Sequence, residues 1–200
     1  MSIATLKNKF NSLLRNLNGT SVTQFSSTVE SAYEAYILSN VMNEYARIKG
    51  GVRKITPPAT GSFLNQSPGK FNINKSFRIE FNNGEMFYFT TDIEIFGLSA
   101  MRQNQPVGIL FEADVVAIEE QFAQDIITNF NGYPAPQHLN SIYECKFGKY
   151  TKGQLRELLG LRRHVSYLRD SSFRHATNYV STALYGFNVV NSDPVIPIKI

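Results

Sequence analysis

The chain has no tryptophan and one cysteine, Cys145, among its 200 residues. A lone cysteine excludes an internal disulfide and a multi-cysteine zinc site, and it fits a reducing compartment. Long apolar runs are missing too. Stretches such as Val115-Val116-Ala117-Ile118 are far too short to cross a bilayer, and the start MSIATLKNKF lacks the apolar segment of a signal peptide. The expectation is a cytoplasmic protein. The histidines His138, His164 and His175 show no metal-ligand spacing. Nothing resembles a GxSxG elbow or a serine triad. Gly61 and Gly69-Lys70 are too far apart for a Walker loop, and Phe71 stands where such a loop needs a hydroxyl. Internal repeats and low-complexity tracts are absent as well.

What is present is a globular composition, 42% hydrophobic and 18% charged, sized for one domain over residues 1–200. Net charge is only +4, but it is unevenly spread. Between Lys146 and Arg174 eight basic residues meet only Glu157 and Asp170, a local excess of +6. Such a segment suits a polyanion, although a solvated helix face gives the same count.

Hydrophobic spacing divides the chain into a helical part, residues 1–50, and a sheet core, residues 71–175. Ile3, Leu6, Phe10, Leu13, Leu14 and Leu17 recur at helical steps and stop at Gly19. Ser27 and Glu30 form a capping box for a second helix, with Val29, Tyr33, Tyr36, Ile37, Val41 and Ile48 along one side. Residues 56–70 (TPPATGSFLNQSPGK) read as a loop. Phe77, Ile79 and Phe81, the turn Asn83-Gly84, and then Phe87, Phe89, Ile93 and Ile95 spell a hairpin. Strands are expected at residues 109–118 and 142–147, with a short helix near residues 121–130 between them. A helix capped by Thr151 carries Leu155, Leu158, Leu159, Leu161, Val165 and Leu168, and mixed β structure is expected over residues 177–200.

Alternation along a strand puts Ile142, Glu144 and Lys146 on one face of IYECKF, and Glu112, Asp114, Val116 and Ile118 on one face of FEADVVAI. Pairing of the two strands can bring Asp114 beside Glu144. Two close carboxylates repel unless a divalent cation lies between them or one takes a proton. Hard oxygen donors suit magnesium or manganese, and Lys146 could then orient a water and offset charge on a phosphate. The competing reading of Glu144 and Lys146 is a charged face on an exposed strand. A rival acidic pair, Asp92 and Glu94, has no lysine partner and reads as a solvated face.

An acid in a hydrophobic strand, Glu-x-Lys in the next, and a following helix entered through glutamine resemble the PD-(D/E)XK nuclease superfamily. The likeness covers residues 111–168 and extends more loosely to the helix from Thr28 to Ile48. It implies an α/β fold with a central mixed β-sheet flanked by helices, restriction endonuclease-like. It also implies metal-dependent hydrolysis of nucleic acid, chiefly double-stranded DNA, with Mg2+ or Mn2+ as cofactor. On that resemblance Asp114, Glu144 and the Cys145 carbonyl hold the ion, Lys146 assists the water and Gln154 stands close by. Glu34 and Glu112 are auxiliary ligands, and Lys149, Lys152, Arg156 and Arg163 contact phosphates. Arg162, on the apolar arc, should be partly covered. The motif departs from the pattern at Ala113, where the naming proline would precede Asp114, and in the gap of 30 residues between Asp114 and Glu144. So small a domain implies a homodimer or a partner module for specificity. The alternative is an inactive nucleic-acid-binding or assembly subunit of the same fold.

Overall fold

The computed structural model describes residues 2–17, 28–59, 69–97, 110–147, 181–187 and 198–199, the last two segments and residues 146–147 without their side chains. Two helices precede a sheet of seven strands in chain order, β1 to β7. Helix α1 spans Ile3–Asn16, capped by Ser2 Oγ, which accepts from Thr5 N–H. Helix α2 spans Val29–Ile48. Its cap is Thr28, whose side chain accepts from Ser31 N–H, and not the expected Ser27. Ile48 departs from the expected apolar side and stands 59% exposed at the helix end.

Strands β1 (Val52–Thr56), β2 (Phe77–Phe81), β3 (Met86–Phe96), β4 (Leu110–Glu119) and β5 (Leu139–Phe147) form an antiparallel meander. β1 is an addition to the expected elements. The β2–β3 connection is a four-residue loop, longer than the tight pair expected, with Gly84 at φ +86° donating to the Phe81 carbonyl. A residue other than glycine is strained at that angle. Helix α3 (Ala123–Asn129) lies between β4 and β5. Strand β6 (Ser181–Phe187) runs parallel to β5, and β7 (Ile198–Lys199) pairs antiparallel with β6. The protein is therefore an α/β fold with a mixed sheet, as the sequence leads one to expect.

Two apolar layers sandwich this sheet. On one side α1 and α2 bury Leu6, Phe10, Tyr33, Ile37 and Met42 against Phe77, Ile79, Phe81, Phe87, Phe89, Val115, Tyr143 and Cys145. On the other, Tyr88, Ile93, Ile95, Ala113, Val116, Ile118 and Ile142 pack with Phe71, Ala123 and Ile126. The expected alternation through the second hairpin strand is interrupted. Ile93 and Ile95 lie in the layer opposite Phe87 and Phe89, although all four occupy odd positions. The switch falls at Asp92, held at φ +52°, a left-handed conformation that aspartate tolerates better than most side chains.

β4 changes face at the matching place. Val115 packs with the helices, whereas Ala113 packs in the other layer, so Asp114 does not simply continue the Val116 and Ile118 face. Register explains why both strands change together. Thr91 pairs with Val115 and Ile93 with Ala113, which sets Asp92 opposite Asp114 at the twist.

Candidate active site

Three strands and one helix converge on Cys145. Val115 pairs with Tyr143, the last pair of that ladder before Asp114 and Glu144. There the ladder opens. Instead of a main-chain acceptor on β4, the Cys145 N–H finds the Asp114 side chain, whose Oδ2 accepts at 2.5 Å. Asp114 is only 8% exposed, so this hydrogen bond fixes a nearly buried carboxylate. The N–H and C=O of one strand residue point to the same neighbour, which turns the Cys145 carbonyl towards β4 as well.

The Cys145 thiol senses this surrounding charge. Burial is the main cause that raises its pKa well above the ordinary value, followed by the charges of Asp114, Glu34, Glu144 and Asp92. A thiol so placed stays protonated and is a poor nucleophile. Those charges come from four elements that pass near one point, the Cys145 thiol: α2 with Glu34, β3 with Asp92, β4 with Asp114 and β5 with Glu144. Helix α2 reaches the point because it lies across β3, β4 and β5. Tyr45 anchors its far end, donating to Asn140 Oδ1 at 2.5 Å and pairing with Ser141 Oγ at 2.7 Å. Tyr45 also stacks or edges against Phe81, Phe87 and Phe89, with ring centroids 5.1 to 6.4 Å away. From Tyr45 back to Glu34 the helix runs about 16 Å, close to the roughly 13 Å that four strand residues take from Ser141 to Cys145.

Asp92 is the residue that sequence reasoning placed wrongly. It reads there as part of a solvated face, yet it is half-buried, and its pKa is pushed up to about 6. Burial is the chief cause, the Thr91 side chain pulls the other way, and the Glu112 charge adds to the rise. No break in the odd-numbered apolar pattern marks Asp92. Only its pairing with Asp114 reveals it. Its supposed companion Glu94 pairs across the ladder with Glu112, and Glu112 is exposed, in keeping with a rim position.

The charges of Glu34, Asp114 and Glu144 thus act on Cys145, but Tyr143 and Cys145 pack in the helix-side layer and Ile142 in the other, so alternation turns Glu144 away from α2. Lys146 occupies β5 two residues beyond Glu144, paired along the main chain with Gly186, while its side chain lies outside the described residues. Gln154, Lys149, Lys152, Arg156, Arg162 and Arg163, with the expected helix from Thr151, lie outside them too.

Among the described residues no three His, Cys, Asp or Glu side chains stand at the spacing of a metal cage. His138, in particular, is a core residue. Its Nε2 meets Asp125 Oδ2 at 2.8 Å, its Nδ1 accepts from Ala135 N–H at 3.1 Å, and Phe122 and Phe130 flank the ring. No described helix is long and apolar enough to cross a membrane. Compared with protein-family models, curated proteins and solved structures, the chain matches none.

Proposed function

We propose that the protein is a metal-dependent nuclease of the restriction endonuclease-like fold, hydrolysing phosphodiester bonds of double-stranded DNA. The observation that carries this reading is the Asp114 carboxylate held on the Cys145 N–H, one residue from Glu144, with the charges of Asp114, Glu34 and Glu144 all acting on the same buried thiol. A scaffold without an ionic ligand has no need to collect repelling carboxylates against its core.

The donor set fits magnesium or manganese in its chemistry: two carboxylates and the Cys145 carbonyl, all hard oxygens. Magnesium is commonly held by one or two carboxylates with substrate phosphates and waters completing the shell, so a full protein cage is not required. When bound, the ion would supply a more acidic water and a counter-charge for the phosphate. The chain's own residues do the positioning. Cys145 N–H pins Asp114, and Lys146, two residues beyond Glu144 on β5, would orient the attacking water. The basic residues Lys149, Lys152, Arg156 and Arg163 would contact the backbone phosphates.

Cleavage of plasmid and single-stranded DNA in magnesium tests this, comparing wild type with Asp114→Ala and Lys146→Ala. Loss of at least a hundredfold in both variants is expected, since each removes a group acting on the reacting phosphate. Equal activity in all three refutes the assignment. The absence of a three-residue cage among the described residues favours a second reading, an inactive nucleic-acid-binding subunit of the same fold. Wild type that binds DNA normally but never cleaves it selects that reading.

A further inference from the structure

The Gly69-Lys70 pair, which forms no Walker loop, acquires another use in the fold. Gly69 N–H donates to the Asp92 carbonyl at 3.2 Å and the Gly69 carbonyl accepts from Glu94 N–H at 2.8 Å. This segment therefore extends the sheet beside the very stretch of β3 that faces Asp114. Immediately after it opens a pocket of about 430 Å3, whose lining includes Lys70, Asn72, Lys75, Ile127, Asn131 and Gly132.

Among the described residues no carboxylate lines this pocket. Four cations elsewhere, Arg47, Lys49, Arg53 and Arg78, each reach a glutamate within 3 Å. A second pocket, beside the β2–β3 loop, is instead lined by Glu85, Glu119 and Glu120. Lys70 is held in place: its Nζ donates to Asn131 Oδ1 at 2.9 Å and stands 5.3 Å from the centre of the Tyr133 ring. Gly132, at φ +85°, lets the Lys70 stem pass, since a Cβ there would lie 3.0 Å from Lys70 Cβ. Lys75 is exposed and makes no ion pair among the described residues.

Two ammonium groups and two amides, with no acid in the described lining, adjoin a strand of the carboxylate centre. We propose that this pocket is a phosphate subsite for nucleic acid, in which Lys70 and Lys75 grip the backbone of the strand whose neighbouring phosphodiester lies at Asp114 and Glu144. The inference rests on the nuclease reading of that centre. It assigns the substrate a direction across the sheet edge, from the pocket over Gly69 and Asp92 to β4 and β5. An attractive subsite there also offsets the repulsion that the carboxylates exert on an approaching polyanion.

The test is binding of a fluorescein-labelled DNA duplex to the full chain in EDTA, followed by anisotropy over a range of salt. The variants are Lys70→Gln, Lys75→Gln, their double, and Lys54→Gln as an exposed lysine outside the pocket. Each pocket substitution should lower the slope of log K against log salt by about 1, and the double by about 2. Lys54→Gln should leave it unchanged. Thermal unfolding checks that each variant folds; Lys75→Gln removes no contact and decides the matter if Lys70→Gln is unstable. Wild-type binding with an unaltered slope in the pocket variants overturns the subsite and leaves the nuclease reading standing. An equal loss in Lys54→Gln overturns it as well, by showing a diffuse charge effect. Wild type that binds no nucleic acid overturns both.

Discussion

Replacing Asp92 with asparagine should stabilise the protein, and only where the carboxyl is ionised. The Asp92 pKa rises from 3.8 to about 6, chiefly through burial. A pKa higher in the folded chain than in the unfolded one means that folding binds a proton more tightly. The ionised carboxylate therefore costs stability in full above about pH 6, and that cost fades as the pH falls towards 3.8. The gap corresponds to about 3 kcal/mol, and residual contact with water screens it to about 2 kcal/mol. Asparagine keeps the shape and also tolerates the left-handed backbone at φ +52°, so the substitution isolates the charge. Urea unfolding followed by circular dichroism at pH 7.5 and at pH 4 measures the effect, and about 2 kcal/mol corresponds to roughly 4 to 8 °C in Tm. The variant should gain at pH 7.5 and gain little at pH 4. A variant no more stable at pH 7.5, or equally more stable at both pH values, refutes the reasoning.

Two further outcomes follow from polar groups in the core. Tyr45→Phe keeps the ring among Phe81, Phe87 and Phe89 but removes the hydroxyl bonded to Asn140 and Ser141, and should cost about 1 to 2 kcal/mol in urea unfolding. A neutral result would mean that this network does not anchor α2. His138 is held below its ordinary pKa by burial, against the pull of Asp125. Its contribution to stability is complete above about pH 6.5 and is lost as pH falls through the lower folded value, so NMR should find its ring mostly neutral at about pH 6.5. A ring protonated at that pH would sink the assignment.

The sequence was legible where a single period decides. Leu6, Phe10 and Leu14 at helical steps gave α1, and Phe77, Ile79 and Phe81 at strand steps gave β2, because each apolar side chain has one layer to enter. The two neighbouring strands β4 and β5, which carry Asp114 and Glu144, were legible for the same reason, since alternation is a local rule. Asp92 was not. Its position depends on a single left-handed φ and on the strand across from it, and neither leaves a mark on the spacing of Phe87, Phe89, Ile93 and Ile95. Thr28, and not Ser27, caps α2 for a comparable reason: two adjacent hydroxyls offer the same chemistry, and spacing alone does not select between them.

The order of the strands bears on how such a centre is assembled during synthesis. From β1 to β5 every strand joins the one made just before it, so the first five can add in turn as the ribosome releases them. β6 is different, because parallel addition to β5 must wait for residues 148–180 to be made. Glu144 and Lys146 sit on that last strand of the meander and first partner of the late one. A nascent chain would therefore carry Glu34, Asp92 and Asp114 before β5 supplies the Cys145 N–H that pins Asp114, so that carboxylate is fixed only once the fifth strand is made.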